Sequence, residues 1–356
     1  MKRYLLILAA MLLTTMPLMA SEEGEGFDPG SMIIGHVTDA HSWELFEYKS
    51  SDGKEHPIAI HLPVILIRDG HIDIFSSAKL DDGRVYRGYR LIGGGAEREE
   101  IVCVDEAGVP TGVKPVDLSI SKTPAAIIIT SLLLIVIVFI ARAGYKRRPN
   151  QAPHGLQSLV EMLVVFVRDS IALPMIGEGK YQRYLPYLLT LFFFIFLCNI
   201  LGLIPIFPAG ANITGNLAVT GILAVITFLM TNLSGNRHYW TDIFNTPGVP
   251  AWLKIFPLMP LVEVIGVFTK PIVLMIRLFA NMTAGHVMIL SFTALIFILS
   301  GIFGAGVGAG VSVVSVFMSV FISLLECLVA YIQAFVFTML TALYIGMAVA
   351  EPNHAH

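Results

Sequence analysis

Charged residues are scarce in this sequence. Only 14% of the 356 residues are Asp, Glu, Lys or Arg, whereas 55% are hydrophobic, a composition well outside that of ordinary globular proteins. Between Arg183 and Arg237 there is no formally charged residue. The net charge of −3 is nearly balanced, so it indicates neither nucleic-acid binding nor capture of an acidic substrate. Most of the chain is therefore expected to lie in a lipid bilayer.

Several catalytic signatures are also missing. The three cysteines, Cys103, Cys198 and Cys327, lie far apart without metal-ligand spacing. No His-Glu-x-x-His zinc motif occurs and no nucleophile accompanies a base, which argues against an intramembrane hydrolase. The halves of the chain show no internal repeat, a feature that secondary transporters often have. A proton-coupled antiporter stays as the alternative from another class, and no cofactor or metal is expected.

The N-terminus has the pattern of a secretory signal. Lys2 and Arg3 precede an apolar stretch that ends at Ala20, and acidic residues follow. We expect residues 1–20 to be a signal peptide cleaved after Ala20. The alternative is an uncleaved anchor, since Leu18 is larger than signal peptidase prefers.

Residues 21–123 have a different character and predict a small β-rich exported domain. Short apolar or alternating runs at 58–67 and 71–75 are separated by Asp69-Gly70, a hairpin signal, and Asp82-Gly83 marks another turn. Imidazole is a common metal ligand, but the spacing of the five histidines here matches no standard motif, which favours solvated or hydrogen-bonded side chains. These histidines are His36, His41, His56, His61 and His71.

Residues 124–356 form the predicted membrane domain. A helix needs about 20 apolar residues to cross a bilayer, and five segments satisfy this requirement: about 124–143, 184–206, 213–234, 255–299 and 309–349. Pro205 and Pro208 separate the second span from the third, and the glycine-rich stretch from Gly301 to Gly310 separates the fourth from the fifth. The predicted fold is mainly α.

Loop charge predicts the orientation. Two loops, between spans one and two and between spans three and four, contain basic residues, and the other two contain none. The positive-inside rule places the basic loops in the cytoplasm. The N-terminal domain is then periplasmic and the C-terminus cytoplasmic, in a multi-pass protein of a bacterial inner membrane. The basic residues of these loops include Lys146, Arg147, Arg148, Lys180, Arg183, Arg237 and Lys254.

One segment between the first two spans is not expected to cross. Residues 155–171 mix aliphatic residues with Gln157, Glu161, Arg168 and Asp169, an amphipathic pattern typical of a helix lying at the membrane interface. A cytoplasmic helix docked on a partner protein is the alternative.

The fourth span carries the charges that predict function. A charge at the bilayer centre costs about 2.5 to 3.5 kcal/mol, and Arg277 has apolar residues on both sides, which makes snorkelling unfavourable. Glu263, Lys270, Arg277 and Asn281 recur at steps of seven, seven and four, so they form one stripe. His286 follows Arg277 by nine residues and therefore points to the opposite side.

The fifth span carries a second polar row, which predicts either close helix contact or a buried water path. We favour the water path because the carboxyl group of Glu326 needs a partner or water. The residues of this row are Ser312, Ser315, Ser319, Ser323, Glu326 and Gln333.

These residues resemble a known family. The run 271–286, Pro-Ile-Val-Leu-Met-Ile-Arg-Leu-Phe-Ala-Asn-Met-Thr-Ala-Gly-His, is similar to the signature helix of the a subunit of F-type ATP synthases, and 331–337 resembles that family's last helix. The resemblance extends over about 149–351. It includes 155–161 (Gly-Leu-Gln-Ser-Leu-Val-Glu), 199–205 (Asn-Ile-Leu-Gly-Leu-Ile-Pro) and 215–220 (Gly-Asn-Leu-Ala-Val-Thr).

The resemblance implies a function. Arg277 is then the essential stator charge facing the c-ring carboxylates, with Gln333 as its neighbour, and Glu263, Asn281 and Asn216 match polar positions of two aqueous half-channels. The implied partners are the c-ring, the b subunits of the peripheral stalk, membrane lipid and a proton, in preference to sodium. The chain is then a non-catalytic subunit.

Two features depart from the family pattern. Many members have a carboxylate at the position of His286 and a histidine at that of Glu326, so the residue types are exchanged here. We expect the two side chains to be close, to be separated by at most one bridging water, and to line the half-channel open to the exported side. The domain at 21–123 has no counterpart in the family pattern.

Overall fold

The computed structural model describes residues 30, 33–35, 38–49, 55–68, 70–94, 97–105, 108–147, 151–204, 209–244 and 258–351. The predicted signal peptide and its cleavage at Ala20 lie outside the described residues, as do His36, Arg148, Pro205, Pro208 and Lys254. The first residues of the predicted fourth span, 255–257, lie outside them too.

The N-terminal domain consists of short antiparallel pairs of strands. Strands β1 and β2 form one sheet. A second sheet contains β4, β3 and β7 in that order, and a third contains β5 and β6. The predicted hairpin is present between β3 and β4, with Arg68 opposite His71 and Gly70 at φ 81°, while Asp69 lies outside the described residues. The strands are β1 (Ser42–Lys49), β2 (Glu55–His61), β3 (Pro63–Arg68), β4 (His71–Ser76), β5 (Tyr89–Gly94), β6 (Glu97–Cys103) and β7 (Val116–Asp117).

Alternation along these strands builds a small core of their own. Val64 and Leu66 of β3 are fully buried, and they pack with Phe75 of β4, Tyr89 of β5 and Ile101 of β6. Because side chains alternate across a strand, Ile72 and Ile74 of β4 are exposed on the other face. The prediction of a small β-rich domain is confirmed.

Five helices are long and apolar enough to cross a membrane, as the sequence predicts. They are α1 (Lys122–Arg147), α4 (Tyr181–Leu203), α5 (Leu217–Ser234), α7 (Leu258–Phe303) and α8 (Ala305–Val349). The third span begins at Leu217 rather than near 213, because the Asn216 side chain accepts a hydrogen bond of 2.9 Å from Ala218 N and caps the helix there.

The predicted turn from Gly301 to Gly310 was wrong in its extent. Helix α7 continues to Phe303 and α8 begins at Ala305, so one residue, Gly304 at φ 83°, makes the turn. A glycine adopts this backbone conformation without the strain that a Cβ introduces. The other described glycines of this stretch therefore lie within helices.

Between α1 and α4 the chain forms the predicted amphipathic helix. Helix α2 (Leu156–Phe166) continues through a π-helical segment, Val167–Ala172, into α3 (Leu173–Ile176). Val167 and Ile171 are fully buried, whereas Met162 is exposed. The segment packs on α1, α4 and α8, so its apolar side completes the core that these helices share.

A short helix, α6 (Arg237–Phe244), follows α5 and contacts the end of α8. Asn236 donates from its backbone to Ala348 O (3.0 Å) and from its side chain to Ala350 O (2.5 Å), while Lys180 Nζ donates to Val349 O (2.9 Å). The last carbonyls of a helix have no partner within the helix. These donors therefore fix the C-terminus of α8.

Candidate ion-translocating site

Arg277 lies on the outward side of α7. The adjacent Leu274 and Leu278 are 1% exposed and pack into the helix bundle, while Arg277 and its neighbour Ile276 are exposed. Among the described residues, the guanidinium has no hydrogen bond or ion pair. Helical geometry places this cation beside apolar side chains and within electrostatic range of the Tyr344 ring of α8, without a hydrogen-bond or ion-pair partner from the described part of its own chain.

Two other members of the stripe, Lys270 and Glu263, are less exposed. Lys270 is half-buried, with Nζ 5.4 Å from the centre of the Tyr344 ring on α8. Glu263 is also half-buried and is near Tyr239 of α6, where burial first and the Glu263 charge second raise the tyrosine pKa. Asn281 is exposed, like Arg277. The end of the stripe that contains Arg277 and Asn281 is therefore exposed on the outside of the helix bundle.

His286 points into the bundle, as its spacing from Arg277 predicts. Its Nδ1 is 3.0 Å from Met282 O in the same helix, and its Nε2 is 3.1 Å from Gly202 O near the end of α4. A neutral imidazole has one N–H, so only the protonated ring donates to both carbonyls at once. The contact with Gly202 O anchors the ring to α4.

Glu326 lies on α8 and is 8% exposed. Its carboxyl group lies against Gly285, where an added Cβ would overlap it. Oε2 has no hydrogen-bond partner among the described residues. A buried carboxyl oxygen without a protein partner is expected to bind water or a proton.

The structure brings Glu326 to the residue next to His286 but forms no ion pair between them in the described part of the chain. The His286 ring faces α4, and the Glu326 carboxyl faces the α7 backbone. A bridging water between the two groups stays a prediction.

The remaining predicted residues are divided between buried and exposed positions. Gln333 is 6% exposed, and Ser319 is half-buried. Ser323 is exposed, and its Oγ donates to Ser319 O (2.8 Å). Asn216 caps α5, which gives this residue a structural function besides the predicted one. The buried row of α8 therefore does not include Ser323.

One buried polar group has no role in the sequence-based predictions. Asn199 of α4 is fully buried; its Nδ2 donates to Ala330 O of α8 (3.2 Å), and its Oδ1 accepts from Thr214 Oγ1 (2.7 Å). Close by, Asn212 Nδ2 is buried without a partner among the described residues. The sequence signal that could have identified Asn199 is the presence of an asparagine within an apolar span.

The N-terminal domain contains a separate charged cluster. His41 lies between two carboxylates, with Nδ1 3.2 Å from Glu99 and Nε2 3.2 Å from Asp117. Burial alone would lower the His41 pKa, but the hydrogen bonds and charges of Asp117 and Glu99 together raise it to about 9. Despite the opposing effect of burial, His41 lowers the pKa of Glu99, and His41 with Ser119 lowers that of Asp117 to about 2.

These contacts bear on the question of a metal site. His61 is also near a carboxylate, with Nδ1 3.3 Å from Asp81. In the part of the chain that the structure describes, no three His, Cys, Asp or Glu side chains are arranged to hold a metal ion. Locally hydrogen-bonded histidine, the favoured interpretation, is what His41 shows.

The fold and site together define a class of protein. One of five apolar helices carries an outward-facing cation, and a buried carboxyl and a half-buried imidazole lie within the helix bundle. Titratable groups at such positions are expensive and typical of proton and ion pathways. The chain is therefore a polytopic membrane protein of the ion-translocating class.

Comparison with known proteins gives the family. The ATP synthase A chain family matches residues 125–346. ATP synthase subunit a of Chloroherpeton thalassium is 44% identical over 67% of this chain and 69% of its own length. For subunit a 2 of Chlorobaculum tepidum the identity is 45%, over 67% and 65%, and for subunit a of Myxococcus xanthus it is 44%, over 67% and 75%. The chain belongs to the ATP synthase A chain family.

The family match confirms the resemblance. The chain is accordingly a non-catalytic, proton-translocating subunit of the membrane sector, and a multi-pass protein of the inner membrane. The N-terminal domain matches a different family over residues 32–118, described as a domain of unknown function, DUF8433.

Proposed function

We propose that this chain is the stator subunit that provides two half-channels and the essential arginine, Arg277, of a rotary ATP synthase. The observation that carries the proposal is the state of Arg277, which is exposed on an apolar helix surface without a partner in the described part of its chain. An arginine stays protonated in proteins. In a bilayer its charge requires a counter-ion, and an outward-facing side chain can find one on another subunit.

The counter-ion is a carboxylate of the c-ring. Such a carboxylate has to be neutral while it rotates through lipid, because an isolated charge in hydrocarbon is costly. Opposite Arg277, the neighbouring cation favours the ionised form, so the proton leaves as the carboxylate arrives. Asn281, which is exposed like Arg277, extends the polar surface near the arginine, and Gln333 of α8 is its buried neighbour.

The half-channels open on opposite sides of Arg277. His286 and Glu326 line the one from the exported side, together with Asn216 and Ser319, and Ser323 lies at its margin. Glu263 lines the other, which leads to the cytoplasm. A continuous water path past Arg277 would discharge the membrane potential, which contributes about 2.3 kcal/mol per charge per 100 mV. Arg277 thus separates the half-channels.

The partners follow from this role. The c-ring covers the exposed α7 surface around Arg277, b subunits of the peripheral stalk hold the chain stationary, and lipid covers other apolar surface. The N-terminal domain is periplasmic and the C-terminus cytoplasmic, and the translocated ion is a proton.

Substitution of Arg277 tests the proposal. In proteoliposomes that contain the complete synthase, Arg277→Ala should lower ATP synthesis driven by a proton gradient by at least about 100-fold, because the ring carboxylate loses its counter-ion. Arg183→Ala, at an exposed position near the start of α4, is the matched control and should retain synthesis. Retained synthesis in Arg277→Ala, with the c-ring and b subunits recovered, would refute the assignment.

A further inference from the structure

The N-terminal domain is hydrogen-bonded to the start of α1. Asp39 accepts from Ser121 Oγ (2.6 Å) and Thr123 N (2.9 Å), and Ala40 O accepts from Lys122 N (2.9 Å). The first N–H groups of a helix have no partner within the helix. The domain supplies these partners, so it is fixed directly to the first span.

Trp43 of β1 makes the apolar part of this junction. It is 4% exposed and belongs to one buried cluster with Ala126 of α1, Cys198 of α4, and Ala211 and Ile213 of the connection between α4 and α5. A buried tryptophan removes about 150 to 250 Å² from solvent. Trp43, with Ile60 of β2 packed against the same cluster, therefore joins the N-terminal domain to three membrane-domain segments.

Residues 209–213 of the α4–α5 connection link the Trp43 cluster to the surroundings of His286. Gly210 N donates to Leu201 O (2.9 Å), which folds the connection back on the end of α4. A Cβ added at Gly202 would be 3.4 Å from Ala211 O and 3.8 Å from the His286 ring. Gly202 O is also the group that lies 3.1 Å from His286 Nε2. Ala211, a member of the Trp43 cluster, thus lies next to Gly202, whose carbonyl orients His286.

We propose that Trp43 is a positioning residue of the exported-side half-channel, which holds residues 209–213 against α4 so that Gly202 O stays in place at His286. This inference rests on the proposed function of His286. It gives the N-terminal domain a specific task in proton transfer, beyond attachment.

Loss of the indole should change the proton chemistry at His286. Without it residues 209–213 can move away from α4, and the hydrogen bond between His286 and Gly202 O weakens. The imidazole then turns more freely near Glu326 of α8, whose carboxyl lies against Gly285. On α4, the titratable side chain in the Trp43 cluster is that of Cys198, which lies one turn before Gly202.

The experiment measures ATP synthesis by the complete synthase in proteoliposomes. Cytoplasmic-side pH and the membrane potential are held constant while exported-side pH is varied. Trp43→Ala should shift the pH of half-maximal synthesis by about 0.5 to 1 unit, the effect expected for one hydrogen bond. Trp43→Phe keeps a large ring in the junction and should restore much of the wild-type profile.

Two further variants separate positioning from general stability. Ile213→Ala loosens the same cluster from the other side and should shift the profile in the same direction, which keeps the test possible if Trp43→Ala does not assemble. Phe75→Ala loosens the N-terminal domain's own core and should leave the pH of half-maximal synthesis unchanged.

The outcomes distinguish this inference from the proposed function. An unshifted profile in Trp43→Ala and Ile213→Ala, or an equal shift in Phe75→Ala, would overturn the positioning role while Arg277→Ala still abolishes synthesis. Synthesis that persists in Arg277→Ala would instead overturn the proposed function.

Discussion

The imidazole of His41 in the N-terminal domain and the guanidinium of Arg277 in α7 are both cations, and the fold treats them in opposite ways. His41 is buried between Glu99 and Asp117, with a partner at each ring nitrogen. Arg277 has no partner in the described part of the chain and faces outward.

The same contrast extends to the surroundings of each cation. In the N-terminal domain, the buried charge of His41 is neutralised locally, as structural charge usually is, although Arg90 Nε of β5 is also buried without a described partner. In the membrane domain, Glu326 Oε2 and Asn212 Nδ2 are buried without described partners. A group that must exchange protons or meet a moving partner cannot be permanently paired. The comparison therefore predicts that N-terminal substitutions away from the Trp43 junction mainly change stability, and membrane substitutions mainly change transport.

Gly285→Ala should give the largest effect of the tests of this contrast. The added Cβ would displace the Glu326 carboxyl, and a displacement of about 1 Å can lower a rate by about 100-fold. ATP synthesis in proteoliposomes measures the loss. Gly301→Ala is the matched control, since a Cβ there meets nothing within 4 Å. Normal synthesis by Gly285→Ala would show that the placement of Glu326 does not limit transport.

His41→Ala should lower the stability of the N-terminal domain by about 2 kcal/mol. Removing one partner of a buried ion pair costs more than this, but Asp117 is 36% exposed and solvent screens part of its charge. Hydrogen exchange of β6 and β7 in the complete synthase gives the measurement. Arg277→Ala should leave this exchange unchanged, and a destabilisation as large as that of His41→Ala would remove the contrast.

The stability of the same cluster should depend on pH. Because the folded-state pKa of His41 is raised from 6.5 to about 9, its contribution is complete below pH 6.5 and is lost as pH rises through about 9. For Asp117, with a pKa lowered from 3.8 to about 2, the contribution is present above pH 3.8 and is lost as pH falls through about 2.

Exchange protection of β7, corrected for the intrinsic rate, should therefore decrease between about pH 6 and about pH 9.5. His41→Gln removes the titrating group and should abolish most of this decrease. An equal decrease in His41→Gln would assign the pH dependence to another group.

Asp39→Ala should give the smallest effect, about 1 kcal/mol, the usual contribution of a helix cap. The affected amide is Thr123, which donates to Asp39 Oδ1, and its hydrogen exchange measures the local change. Asp39→Asn keeps an acceptor oxygen and should lose less. Equal protection in the wild type and Asp39→Ala would show that the Asp39 carboxylate does not stabilise the start of α1.

Most of the membrane fold could be predicted from the sequence. Five apolar runs are long enough to span, and the high cost of a charge within lipid singled out Arg277 without any contact information. The spacing of nine residues placed His286 on the opposite side from Arg277, which the structure shows. Helix ends were less predictable, because a single cap at Asn216 and a single positive φ at Gly304 determine them.

The contacts between distant segments could not be predicted. Glu99 and Asp117 are 58 and 76 residues from His41, and Gly202 is 84 residues from His286. Hydrophobic periodicity shows which face of an element is buried, but it does not identify the residue that packs against that face.

The sequence by itself therefore determined the five spans, the β-rich domain and the arginine, since hydrophobic length, alternation and the cost of charge are local properties. Only the tertiary structure decided which polar groups are paired: it neutralised His41, turned His286 towards α4, set Glu326 against Gly285 and left Arg277 open. Pairing depends on which backbones approach each other, and packing over the whole chain determines that.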